Sequence, residues 1–87
     1  MARVFIPSQM RDLTGGEAEV KVLASNLRQV IALLEERFPG ISKRLLYEGN
    51  IAPGIAAAID SEISSRGLLA EVGEESEVHF LPAIAGG

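Results

Sequence analysis

Few side chains in this sequence can do chemistry, and their spacing is poor for catalysis. There is no cysteine and one histidine, His79, so thiolate metal sites, disulfides, cysteine nucleophiles and histidine-rich metal centres all lack their residues. Two carboxylate pairs, Glu35-Glu36 and Glu74-Glu75, are neighbours in sequence. Adjacent residues do not converge on one point of a helix, so both pairs read as solvated faces. Gly15-Gly16 is followed by no Lys-Ser or Lys-Thr and lacks G-x-G-x-x-G spacing, which makes it a turn and not a phosphate cradle. His79 could carry a proton or touch a docking enzyme, although a lone histidine on the solvent side of a strand is most often structurally neutral. The remaining unusual group lies at the end, where the sequence reads Leu81-Pro82-Ala83-Ile84-Ala85-Gly86-Gly87.

Glycine has no side chain to pack and loses the most backbone freedom on ordering, so Gly86-Gly87 adds little to a core. Five residues beyond Pro82 span about 16 to 18 Å when extended. Ala83, Ile84 and Ala85 keep such an arm narrow, and Gly86 and Gly87 would pass a constriction that a Cβ blocks. Ordering the arm costs on the order of 5 to 10 kcal/mol, so a partner must also grip the folded surface. Leu81, His79 and the acidic turn around Glu74 and Glu75 are the nearest handles. The reactive group of the arm is the Gly87 carboxylate, taken as the chain's own C-terminus. Resonance and negative charge make a carboxylate a poor electrophile, and it becomes an acyl donor only after activation, for instance as an acyl-adenylate. On this reading the chain is the substrate of an ATP-dependent enzyme and has no catalytic residues of its own.

At 87 residues the chain is one domain, able to bury a little over ~60% of its unfolded surface. Near the start, the apolar run Val4 to Ile6 before Pro7 is too short for a signal peptide or a membrane span, and a soluble cytoplasmic protein is expected. Residues 1–44 hold seven basic and five acidic residues, whereas residues 45–87 hold one basic, Arg66, and seven acidic. With no basic patch and few aromatics, nucleic acid is excluded as a partner. The acidic half reads either as solvated surface or as a face that docks on a basic partner.

The elements that position these residues follow from periodicity. Val4 and Ile6 alternate with Arg3 and Phe5, and Ala18, Val20 and Val22 with Glu19, Lys21 and Leu23, which predicts two half-buried strands joined as a hairpin. Leu27, Val30, Ile31, Leu34 and Phe38 recur at helical spacing; Ser25 or Asn26 can cap the start and Pro39-Gly40 ends the helix. A short helical turn at Ile41 to Leu46 followed by loop comes next. Then come a strand from Ile55 to Ile59, a tight turn at Asp60-Ser61 and a return through Glu62-Ile63. Leu68 and Leu69 are expected to be buried in a short strand or turn. In the last strand Val78 and Phe80 alternate with His79 and Leu81, and Pro82 ends it. Parity therefore sends Phe80 inward with Val78, and leaves Leu81 as the exposed apolar contact. The pattern predicts an α+β fold, a mixed sheet crossed by one main helix.

Over essentially its whole length the sequence resembles the ubiquitin-like sulfur carriers of the MoaD/ThiS type, the group of the small subunit of molybdopterin synthase and the thiazole sulfur carrier. The residues that carry the resemblance are "VFIPSQMRDLTGG", "FPGISKRLL", "APGIAAAIDSEI" and, most specific, "EVHFLPAIAGG". Departures fall at Glu74-Glu75-Ser76, where the family commonly has Gly-Asp, and at Asp60-Ser61, a turn without glycine. The resemblance implies a β-grasp fold over residues 1–82 with a flexible diglycine tail over 83–87. It implies that a MoeB/ThiF-type, E1-like enzyme adenylates Gly87 with ATP and magnesium, and that a sulfur donor converts the adenylate to a thiocarboxylate. Gly86, Ala85, Ile84, Ala83 and Pro82 would be recognised as the tail, with Leu81, His79 and Phe80 at the docking surface; no cofactor and no metal would be bound by the chain itself. The thiocarboxylate would serve a molybdopterin synthase large subunit or a cysteine synthase. Two other readings stay open: a protein modifier joined through Gly87 to lysines, and an adaptor that acts by surface contact alone.

Overall fold

The computed structural model describes residues 1–63 and 66–82; the tail expected over 83–87 lies outside the described residues. In chain order the strands and helices are β1 (Ala2–Phe5), β2 (Glu19–Val22), α1 (Leu27–Arg37), α2 (Ile41–Leu45), β3 (Leu46–Tyr47), β4 (Asn50–Ile51), β5 (Ile55–Ile59), β6 (Glu62–Ile63) and β7 (Glu77–Pro82). Five strands form one sheet in the order β2-β1-β7-β5-β6, and β3 and β4 pair separately. β1 and β7 run parallel at its centre, while the flanking pairs are antiparallel. A parallel pair needs a long crossover, and α1 lies within it. This is the mixed sheet crossed by one main helix that the strand and helix periods predict, and the β-grasp fold that the resemblance implies.

Period two in the strands and 3.6 in α1 set the core. Val4 sits opposite both Val20 and Val78, so one face of the sheet presents valines to the helix, which buries Leu27, Val30, Ile31 and Leu34. Val4, Leu27, Val30, Leu34 and Val78 are completely buried, and burial of each such side chain stabilises by about 1.5 to 3 kcal/mol. Of the two candidate caps for α1, Asn26 is the one used. Its side chain accepts a hydrogen bond from the Gln29 amide at 2.9 Å, while the Gln29 side-chain oxygen accepts from the amide and hydroxyl of Ser25 at 2.8 and 2.9 Å.

Three expectations are corrected. The segment after α2 is not loop but the β3–β4 hairpin, in which Tyr47 faces Asn50 across Glu48-Gly49; two-residue strands are too short to show an alternation. Leu69 is 66% exposed, because the 3-10 turn at Gly67–Leu69 directs only Leu68 inward. Glu35 is no solvated bystander. Its carboxylate accepts hydrogen bonds from the amides of Gly40, at 3.0 Å, and Ser42, at 2.9 Å, and clasps the corner where Gly40 turns the chain with a φ of 102° that favours glycine.

The turn at Asp60-Ser61 stands where it is expected, although neither residue is glycine. Both are left-handed, with φ of 52° and 72°, the type I′ geometry of a two-residue hairpin. The Asp60 carboxylate holds the turn against β7: it accepts from the Ser76 hydroxyl at 2.9 Å and the Glu77 amide at 3.0 Å. Ser76 in turn accepts from the Gly73 amide at 2.8 Å.

Both carboxylates are held below their ordinary values by these bonds, Glu35 by the Gly40 and Ser42 amides and Asp60 by the Glu77 amide and Ser76 hydroxyl. A carboxylate with a depressed folded-state pKa adds stability that is present above its ordinary value and is lost as pH falls through the folded value. The stabilisation from these two groups is therefore expected to be constant with pH near neutrality, and the melting temperature to fall below pH 4.5, the ordinary value for Glu35. Glu35→Gln should lower the midpoint at pH 7 and make its fall in acid shallower, measured by circular dichroism.

The outer sheet face at the root of the tail

The strand register assembles a surface on the side of the sheet away from α1. β7 sends Val78 and Phe80 into the core and His79 and Leu81 outward. Its register sets His79 between Phe5 of β1 and Ala58 of β5, with Leu81 beside Ala56 and Ile63 of β6 beyond Ala58. Paired residues of neighbouring strands share a face. Phe5, His79, Leu81 and Ile63 therefore form an apolar band, and the two alanines between them leave the larger side chains standing proud.

Phe5 and His79 stack with ring centroids 4.2 Å apart and planes 3° from parallel, an arrangement that fixes both rings. Arg3 and Glu77, also register partners, form an ion pair beside them. His79 Nε2 lies 3.6 Å from a Glu77 carboxylate oxygen, and the Arg3 guanidinium carbon lies 5.8 Å from the centre of the Phe5 ring. At the end of β7 a groove of about 330 Å³ runs past Phe5, Pro7, Arg11, His79, Leu81 and Pro82. Arg11 is held there by a 3.2 Å hydrogen bond from its Nε to the Ile6 carbonyl.

Among the residues expected to act, the structure brings His79, Leu81 and Pro82 together at this end of β7. Leu81 is 41% exposed and stands next to the point where the tail begins. Phe80 does not belong to the docking surface: it is 3% exposed and packs in the core, as its parity with Val78 requires. Ala83, Ile84, Ala85, Gly86 and Gly87 lie outside the described residues. Phe5 and the Arg3–Glu77 pair were missed as surface partners of His79. The parity of β1 points Phe5 outward, but only the parallel pairing of the first and last strands shows which residue it meets.

Among the described residues no group of three or more His, Asp or Glu is placed to hold a metal, and no buried side-chain polar atom lacks a hydrogen-bond partner. No helix among them is long and apolar enough to cross a membrane.

Comparison with known proteins agrees with this architecture. The chain is 34% identical over 89 residues to the sulfur carrier protein CysO of Mycobacterium tuberculosis, covering 97% of this chain and 96% of that protein. A chain of the Amycolatopsis orientalis BexX/CysO complex superposes with a TM-score of 0.92 at 35% identity, covering all of both chains. The crystal structure of M. tuberculosis CysO gives 0.90 at 30% identity, over 97% of this chain and 100% of that one. The small archaeal modifier protein 1 of Methanosarcina acetivorans shares the fold, with a TM-score of 0.80 at 18% identity over 99% of this chain and 95% of that one. The ThiS family model matches residues 4–87, from within β1 through the outward residues of β7 to the diglycine, and the chain belongs to the ThiS family.

Proposed function

We propose that this chain is a sulfur carrier whose Gly87 carboxylate is activated by an E1-like enzyme and converted to a thiocarboxylate. The observation that carries the reading is the placement of half-buried Phe5 and His79 and exposed Leu81 on one sheet face, just before the diglycine that the ThiS family model matches through residue 87. The similarity to proteins named sulfur carrier CysO supports it.

The proposed steps ask little of the chain beyond presentation. The carboxylate of Gly87 attacks the α-phosphate of ATP, supplied with magnesium by a MoeB/ThiF-type enzyme; pyrophosphate leaves and an acyl-adenylate forms. Hydrosulfide from the sulfur donor then attacks the carbonyl carbon of the adenylate; the bond to the phosphate oxygen breaks, AMP leaves, and loss of the sulfur-bound proton gives the thiocarboxylate. Leu81 and the stacked Phe5 and His79 grip the enzyme and offset the cost of ordering the arm, so that Ala83 to Gly87 can be threaded into its active site. Between the two fates of sulfur considered, the relatives named CysO favour cysteine formation over molybdopterin.

Docking through the band is testable apart from the tail. Leu81→Asp is expected to raise the carrier concentration for half-maximal ATP–pyrophosphate exchange by roughly ten- to thirtyfold, the loss typical of one interface hot spot. Its melting temperature should stay close to wild type, because Leu81 is already exposed. Exchange that is indifferent to both Leu81→Asp and Phe5→Ala would remove the sheet face from the account.

A further inference from the structure

The opposite layer of the molecule carries a second surface that the tail chemistry does not use. One stripe of α1, Arg28, Ile31, Ala32 and Glu35, has the i, i+3, i+4, i+7 spacing of a single helix face. It lines a mostly apolar groove of about 330 Å³ closed on the far side by Leu46 and Leu68. The two charges on the stripe differ in kind. Glu35 is committed to the Gly40 and Ser42 amides, whereas the Arg28 guanidinium has no hydrogen bond, ion pair or ring contact among the described residues.

Arg28 also stands in the first turn of α1, which has no acidic residue, and a cation there is opposed by the helix dipole. Lys43 lies near enough to Glu35 to act on its carboxylate, so beside the groove one further cation stands against the committed Glu35, in a protein whose formal net charge is -4. An apolar trough with one uncommitted guanidinium at its rim and a lysine beside its one carboxylate is complementary to an aliphatic side chain flanked by carboxylates.

We propose that this groove docks an acidic segment of a partner protein, which inserts an aliphatic side chain between α1 and Leu46 and pairs a carboxylate with Arg28. The groove is on the helix layer and the band of Phe5, His79 and Leu81 is on the outer face of the sheet. A partner here can therefore stay bound while the tail is engaged elsewhere. The assignment goes beyond the carrier reading and does not depend on the fate of Gly87.

The probe is a blocked hexapeptide of two leucines between glutamate pairs, titrated into the 15N-labelled full-length protein while its amide spectrum is followed. Saturable shifts are expected at Arg28, Ala32, Glu35, Leu46 and Leu68, with a dissociation constant on the order of 1 mM or tighter. Arg28→Glu and Ala32→Gln should each weaken binding about tenfold. Arg28→Glu should at the same time raise the melting temperature slightly, since it corrects the helix dipole, so lost binding cannot be put down to lost folding. Deleting Gly86-Gly87 should leave the titration unchanged. Absence of saturation up to about 10 mM, shifts confined to Phe5, His79 and Leu81, or equal binding of a peptide with lysines for glutamates would overturn the proposal. So would tighter binding of decanoate than of the peptide, which assigns the groove to a small amphiphile, or concentration-dependent shifts in the protein alone, which assign it to a second copy.

Discussion

Deleting Gly86 and Gly87 is expected to abolish ATP-dependent sulfur loading while leaving the fold intact. Among the described residues the core extends from Ala2 to Phe80, and the two glycines follow it in sequence. Changes away from a packed core usually shift stability by no more than ~0.5 kcal/mol, which for a domain of this size moves the melting temperature by only about 2 to 4 °C. Loading, by contrast, should fall below detection, because the proposed electrophile is the Gly87 carbonyl. Appending one alanine after Gly87 should be nearly as damaging. It moves the reacting carbon by about 3.3 to 3.6 Å and places a Cβ where the glycines leave none.

The second large effect is on stability. Leu34→Ala is expected to destabilise the protein by about 2 to 5 kcal/mol, the range for emptying a buried leucine site, from a total of about 5 to 15 kcal/mol for a small domain. The corresponding fall in melting temperature is roughly 10 to 40 °C. Leu34 has no exposed surface and faces the valine-lined side of the sheet, so the cavity has little room to collapse. Leu69→Ala is the matched control. Leu69 is 66% exposed, and its loss should cost within ~0.5 kcal/mol. Equal costs for the two leucines in urea titrations would contradict the packing described for the 3-10 turn.

The comparison of Leu68 with Leu69 also shows where sequence reasoning runs out. Strands β1, β2 and β7 and helix α1 were legible because each carries enough residues for its period to show: Val4 and Ile6, Val20 and Val22, Val78 and Phe80, and the 27-30-31-34 stripe. The β3–β4 hairpin and the 3-10 turns span two or three residues, less than one full repeat. Their geometry is set by what they pack on. Asp60-Ser61 was legible as a turn from its position between apolar runs, and the carboxylate bonds to Ser76 and Glu77 explain how it dispenses with glycine.

The candidate site was half legible for a related reason. Parity within β7 separates Leu81 and His79 from Phe80, and the structure upholds that separation. Which strand lies beside β7 is a long-range matter. The Phe5–His79 stack and the Arg3–Glu77 pair depend on residues more than seventy positions apart coming into parallel register. Likewise, Glu35 reads as a surface acid in sequence and becomes a clasp only once α2 folds back beside it.

The most direct test of the carrier assignment is the intact mass of the protein after incubation with a MoeB/ThiF-type activating enzyme, ATP, magnesium and a sulfide donor. The expected product is heavier by the difference between one sulfur and one oxygen, with the change confined to a C-terminal fragment that contains Gly87 and absent when ATP is omitted. An unchanged mass, in a reaction where the same enzyme visibly loads another carrier of the family, would contradict it.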